Sequence, residues 1–236
     1  MAPGQAASRR TPLNRDRMLA RAVALADEEG IESVSMRRLS QELGVVPMAL
    51  YKHVANKDEL LDGMVDMVVA EIDAPDPDLD WRSAVRARIL SARRVLLRHP
   101  WARRVMESRT KPTPAVLTYM DSTIAMFVAG GLSIDLTHHV MHALGSRIFG
   151  FTQELYDDPK NADGMSEAAA RQMAETYPHI AAVATSRRHD TASVVGSGCD
   201  DQFEFEFTLG LLLDGVERLH RQGWSSSQKP TEAPLR

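Results

Sequence analysis

The chain of 236 residues has a single cysteine, Cys199. One thiol cannot close an intrachain disulfide and cannot build a cysteine-only metal site. No apolar run approaches the roughly 18 residues that a bilayer crossing needs. The opening residues, MAPGQAASRR, lead into no apolar stretch, so the start does not read as a secretory signal. No glycine loop of the kind that cradles phosphates occurs, and no nucleophile–base spacing. These absences predict a soluble, cytoplasmic protein that uses no cofactor and is not an enzyme.

What is present is a core-forming composition with an uneven charge. Hydrophobic residues make up 44 %, an ordinary globular share, so a sizeable core is available. The net charge is −4, but residues 1–57 hold nine Lys/Arg against six Asp/Glu, and the remainder holds 19 against 26. A mildly basic head on an acidic body suits a protein that meets phosphates at one end.

The periodicity is helical almost throughout. Residues 1–12 read as a mobile arm and 225–236 as a disordered tail. Arg15–Glu29 places Met18, Leu19, Ala22, Val23, Leu25 and Ala26 on a helical face, and Gly30 ends it. Ser35 caps a second helix that runs to Leu43, with Gly44 as its stop. Pro47 fits the first turn of a third helix, where its missing N–H costs nothing. Asn56, with Asp58 and Glu59 behind it, opens a helix to about Asp73. Pro75 and Pro77 then break the chain. Further helices are expected at 80–98, 101–109, 114–129, 133–156, 165–176 and 203–222, with starts at Thr113-Pro114 and Ser133 and breakers at Gly130-Gly131 and 157–164. Residues 186–200 read as a loop. Phe203–Phe207 alternates like a strand, but Phe205, Leu209, Leu212, Val216 and Leu219 recur at steps of four and three, which favours a helix.

The informative segment is Val34–Leu61, VSMRRLSQELGVVPMALYKHVANKDELL. Two short helices flank a tight turn at Gly44, with Leu39, Leu43, Leu50 and Val54 inward. That is the pattern of a helix-turn-helix, whose second helix enters the DNA major groove. The short second helix offers Pro47, Met48, Ala49, Tyr51, Lys52 and His53. Ala49 allows close approach to base edges and can meet a thymine methyl. Tyr51 and His53 can bond phosphates, Lys57 adds a charge beside helix N-terminal amides, and Arg37 can reach a phosphate or a guanine edge.

These residues carry a resemblance. Glu29-Gly30, Ser35-x-Arg37-x-Leu39-x-x-Glu42-Leu43-Gly44-Val45 and Leu50-Tyr51-x-His53-Val54-x-Asn56-Lys57-x-x-Leu60-Leu61 resemble the DNA-binding domain of the TetR family of bacterial transcriptional regulators. The resemblance implies that Arg37, Tyr51, His53 and Lys57 contact an operator. Pro47, Met48 and Ala49 hold the positions that read bases most directly; they depart from the tetracycline repressor, so no operator sequence carries over. Leu79-Asp80-Trp81-Arg82, Leu97-x-His99-Pro100-Trp101 and Phe203–Gly215 resemble, more loosely, a tetracycline-repressor-type C-terminal domain.

The expectation is therefore an all-α homodimer: a helix-turn-helix domain over 13–74, then an effector-binding and dimerisation domain over 78–224. The family dimerises through a four-helix bundle of its last two long helices. Leu136, Val140 and Leu144, with Phe205, Leu209, Leu212 and Val216, are apolar on more than one side of their helices, as such a bundle needs. Trp101, Met106, Met120, Met126, Phe127, Met141, Phe149 and Phe151 are candidates to line an effector cavity, with His142 as a hydrogen-bonding group. Met and Phe at helical spacing equally describe plain core. His138, His139 and His142 have metal-like spacing, but no further ligands stand nearby, so they read as surface or interface histidines rather than a metal site.

The expected partners are a palindromic double-stranded operator, a second copy and a small-molecule effector of unknown identity, with no membrane. A repressor released by its effector is the leading function. An activator or ligand-independent regulator of the same fold is the alternative. A helical enzyme using Asp157, Asp158 and the histidines is a distant one.

Overall fold

A computed structural model describes residues 12–150, 167–185 and 201–227, with no strand among the described residues. Residues 1–11, Phe151, Asp157, Asp158, the 186–200 segment with Cys199, and residues 228–236 lie outside them, as does the side chain of Phe149. The chain divides into two compact units, Met1–Gly130 and Gly131–Arg236.

The first unit begins with α1 (Arg15–Glu29), whose N-cap Asn14 accepts the Arg17 N–H at 2.8 Å. All six apolar positions of its inner face are buried. A single 3₁₀ turn, Ile31–Ser33, precedes α2 (Met36–Leu43). The Ser35 hydroxyl accepts the Arg38 N–H at 3.1 Å and starts α2. Gly44 ends it in the left-handed region at φ 64°. There Gly44 N–H donates to Gln41 C=O and Val45 N–H to Ser40 C=O, the paired bonds of a Schellman cap. An added Cβ at Gly44 would meet no atom within 4 Å, so backbone conformation and not space calls for glycine. The short α3 (Pro47–Leu50) follows with Pro47 in its first turn.

Next come α4 (Lys57–Ala70), α5 (Trp81–Arg98), α6 (Pro100–Glu107) and α7 (Pro114–Ala129). Pro75 and Pro77 interrupt the helix but not the packing, since α4 contacts α5, α6 and α7 as well as α1. Met18, Leu25, Leu39, Leu50, Leu60, Met64 and Trp101 join one hydrophobic core. At the end of α7 the close approach is steric: a Cβ on Gly130 would lie 2.4 Å from Trp81 Cγ. The Trp81 ring also packs on Phe127, centroids 5.9 Å apart.

The second unit contains α8 (Ile134–Gly150), α9 (Glu167–Thr176), α10 (Pro178–Thr185) and α11 (Asp201–Arg221). The 203–207 stretch is helix, since the apolar repeat of α11 continues well past the short alternation. Helix α10 was not expected; Pro178 at its first position was the available signal. Helices α8 and α11 pack together, burying Leu136, Val140 and Leu144 with Phe205, Leu209, Leu213 and Val216. Ser226, in the expected tail, is held here: its N–H and hydroxyl donate to the Asp135 carboxylate at 2.6 and 2.7 Å. Those two donors, the N–H first, hold Asp135 below the usual carboxylate range.

Candidate nucleic-acid interface

Helix α3 is anchored by one residue and open elsewhere. Leu50 is fully buried, and Val54 beyond it is buried too. A four-residue helix with one inward side chain can present nearly all its others. Met48 is 70 % exposed and Tyr51 45 %. Pro47 and Lys52 are exposed as well, while Ala49 and His53 are half-buried. The exposed apolar Met48 has no core to fill, and base edges or thymine methyls would cover it.

The cations around this face divide into two sets. Arg38 pairs with Glu29 at 2.7 Å and Glu42 at 2.9 Å, and Arg21 pairs with Glu42 at 2.9 Å and Glu28 at 3.1 Å. The bonds to Glu28 and Glu42 raise Arg21 above its ordinary value, and Arg21 in turn lowers Glu28. These two arginines therefore brace the head against its own acids. Arg37, Lys52 and Lys57 are exposed and make no ion pair among the described residues. Unpaired surface cations beside a protruding short helix are the electrostatic footprint of a phosphate-binding face.

Lys57 sits at the first position of α4. Asn56 Oδ1 accepts the Glu59 N–H at 2.8 Å, and Glu59 Oε2 reaches back to the Ala55 N–H at 2.6 Å, one residue before the cap. That arrangement resembles a capping box displaced by one residue. The positive end of the α4 dipole adds to the Lys57 charge.

Two features of this face were missed in the sequence. Val46, the residue before α3, is 68 % exposed. The signal was present in Val45-Val46, where only Val45 is needed inward. Arg109 is the second. Its Nε donates to Asp62 at 2.7 Å, and its Nη atoms donate to the Asp58 carboxylate at 2.9 Å and the Asp58 carbonyl at 2.8 Å. Bonds to Asp62 and then Asp58 raise its already high pKa. No local pattern announces a latch between residues about fifty apart.

At the other end of α4, Glu71 faces buried His99 at 3.2 Å. His99 Nδ1 also meets Asp27 at 2.8 Å, and Trp101 Nε1–H donates to the same Asp27 oxygen at 2.6 Å. Helix α4 is thus fastened near both ends.

The residues proposed for the effector cavity occupy several places. Trp101 is buried in the core with α1, and Met106 packs against that core. Phe127 and Met126 are buried on α7, whereas Met120 is 40 % exposed. Met141 is half-buried and His142 exposed, both on α8 of the second unit. Phe151 lies outside the described residues. A cavity of about 530 Å³ opens between α8 and α11, lined by Val140, Ala143, Leu212, Leu219, His139 and Trp224 among others. It is bordered by residues named above for dimerisation, not by those named for the effector. Of the dimerisation set, Leu136, Val140, Leu144, Phe205, Leu209 and Val216 are buried within the unit and Leu212 is half-buried. The outer face of α11 instead exposes Phe207 at 54 % and Leu211 at 56 %.

The His138 ring lies 5.1 Å from His139 and 4.8 Å from His142, edge to face, and His139 rests on Trp224 at 5.4 Å. Among the described residues no three His, Cys, Asp or Glu side chains are grouped to hold a metal ion, and no helix is long and apolar enough to cross a membrane.

Comparison with known proteins meets this geometry. The profile described as "Bacterial regulatory proteins, tetR family" matches residues 18–64, and "Tetracyclin repressor-like, C-terminal domain" matches residues 74–220. The chain is 32 % identical over 219 residues to the HTH-type transcriptional repressor DrrR1 of Streptomyces coeruleorubidus, covering 89 % of this chain and 79 % of that one. It is 27 % identical over 210 residues to the class C tetracycline repressor protein of Escherichia coli, covering 88 % and 92 %. The structure of the Streptomyces coelicolor TetR family protein ActR in complex with actinorhodin superposes with a TM-score of 0.63 at 27 % identity, over 88 % of this chain and 98 % of that one. The chain belongs to the tetR family of bacterial regulatory proteins and is an all-helical, DNA-binding transcriptional regulator.

Proposed function

We propose that the protein is a homodimeric repressor that leaves a palindromic operator when a small molecule binds its helical body. Residues 13–74 read DNA, and residues 78–224 bind the effector and pair the subunits. The observation that carries the reading is the α3 face: Met48 and Tyr51 exposed, with unpaired Arg37, Lys52 and Lys57 around them. Tyr51, His53 and Lys57 fix the register on phosphates, and Pro47, Met48 and Ala49 face the bases.

Release follows from linkage. An effector lowers DNA affinity only if it binds better to a conformation whose recognition helices are wrongly spaced. Two half-sites one helical turn apart require the α3 helices about 34 Å apart. Helix α4 connects α3 to the body, and its fastenings at Arg109 and at Glu71–His99 are where a shift in the body would reach it. DrrR1 is named a repressor, and the ActR structure holds actinorhodin, which supports repression and ligand response in this chain. The exposed Phe207 and Leu211 of α11 and the rim of the α8–α11 groove are the surface for the second copy.

The test is selection of genomic fragments by the full chain across a salt series, with Tyr51→Ala/Lys57→Ala beside it. The wild type should recover a few palindromic sites and lose affinity as salt rises, because bound phosphates release counterions. The double variant should recover little. If both recover the same weak, sequence-indifferent DNA, the reading is wrong. The recovered operator then serves for displacement screening of small molecules.

A further inference from the structure

Arg88, on α5, is 8 % exposed and has no carboxylate at ion-pair distance among the described residues. Its Nη1 donates to the Asp73 carbonyl and its Nη2 to Ser122 Oγ at 3.1 Å. Its guanidinium lies over the Tyr119 ring, 4.7 Å from the centroid. The Nε–H is buried without a partner, and so is the Tyr119 hydroxyl. Thr123, one turn along, donates its own hydroxyl hydrogen to the Tyr119 carbonyl at 2.7 Å. The carboxylate of Asp73 is turned to Arg94 at 2.7 Å and its N–H to Ser91 Oγ at 2.9 Å. Asp73, just past α4, is therefore gripped by α5 on every polar group, while Arg88 gains only a neutral carbonyl, a hydroxyl and a ring.

A buried cation without a counter-charge is expensive, and an unspent N–H beside it adds to the cost. Burial pushes the Arg88 guanidinium down and the Tyr119 phenol up, so the phenol stays a neutral donor. Two donors without a hydrogen-bond partner and a positive charge with no carboxylate at ion-pair distance thus share one spot. Of the two residues that Arg88 bonds, Asp73 is exposed and Ser122 half-buried.

We propose that Arg88 and Tyr119 form a binding site for the carboxylate of an organic acid, which is the effector class of this regulator; the regulatory part of this proposal rests on the ligand-released reading above. The Nε–Nη2 edge of a guanidinium is a fork that matches a carboxylate, with the Tyr119 hydroxyl as a third donor. The acid displaces Ser122 from Nη2 and leaves Nη1 on the Asp73 carbonyl. Movement of Arg88 toward the acid is thereby passed to the end of α4.

The experiment uses the full-length protein and three probes of increasing size, benzoate, 1-naphthoate and 9-anthracenecarboxylate, each beside its neutral primary amide. Thermal shift and titration calorimetry follow binding, and displacement of the recovered operator follows regulation. At least one acid should stabilise the wild type while its amide does not. Arg88→Met should weaken that acid by about 10- to 100-fold, the loss of charged hydrogen bonds. Tyr119→Phe, which keeps the ring, should weaken it by about 10-fold, and it carries the test if Arg88→Met does not fold. Arg88→Met without ligand should melt no lower than wild type, since methionine removes an unpaired buried charge. The site is overturned if no acid shifts the wild type, if acids and amides shift it alike, or if both variants keep the wild-type response. An acid that binds through Arg88 yet leaves operator affinity unchanged upholds the site and removes its regulatory role. An amide that releases the operator equally from wild type and Arg88→Met upholds ligand release and removes this site.

Discussion

Along α1 every inward apolar position is buried, and what remains outside is mostly charged. Along α11, Phe205, Leu209, Leu213 and Val216 are buried, but Phe207 and Leu211 stay more than half exposed. The first unit has closed its core within one chain. Its surface near α3 lacks counter-charge and leaves Val46 and Met48 uncovered, which suits a polyanion with apolar base edges. The second unit lacks cover on an apolar face, which suits another protein surface. One family fold thus leaves two kinds of incompleteness, and each names the chemistry of what completes it.

The comparison breaks most visibly at α11. Phe207→Glu/Leu211→Glu should give a monomer by sedimentation at concentrations where the wild type is a dimer. Operator affinity should then fall by about 10²- to 10⁴-fold, because two half-sites are no longer engaged together. A double variant that stays dimeric would place the interface elsewhere.

A smaller and graded effect separates the paired cations from the unpaired. Arg37→Ala, Lys52→Ala and Lys57→Ala should each weaken binding to all sequences and lower the salt slope by about 1, the share of a single neutralised phosphate. Arg38→Ala, whose guanidinium is committed to Glu29 and Glu42, should leave the slope unchanged and alter stability instead. Equal slopes for Arg37→Ala and Arg38→Ala would remove the distinction. The smallest effect lies in the turn between α2 and α3. Gly44→Ala should destabilise the chain by about 1 to 2 kcal/mol in denaturant unfolding, the cost of a left-handed non-glycine residue. No change would mean that the turn relaxes away from φ 64°.

The helices and their ends were written locally. Ser35 and Asn56 cap where the sequence placed them, and Thr113 and Ser133 do the same for α7 and α8, with Val116 and Leu136 as donors. Gly30 and Gly44 stop α1 and α2 as expected. A cap acts over three or four residues, so a short window of sequence contains all of it. The α3 face was legible for the same reason: one inward Leu50 in a four-residue helix leaves the neighbours outward.

Tertiary structure decided what depends on distant partners. Arg37 and Arg38 are adjacent and chemically identical; Glu42, one turn along α2, gives Arg38 a local partner and Glu29 on α1 adds a distant one, while Arg37 pairs with neither. Arg109 reaches Asp58 across 51 residues, and His99 reaches Asp27 across 72. Both stripes of α11 are apolar in sequence, and packing on α8 chose which became core. Burial of Arg88 without a carboxylate is likewise invisible in RARILSARR, because desolvation belongs to the assembled core rather than to the residue.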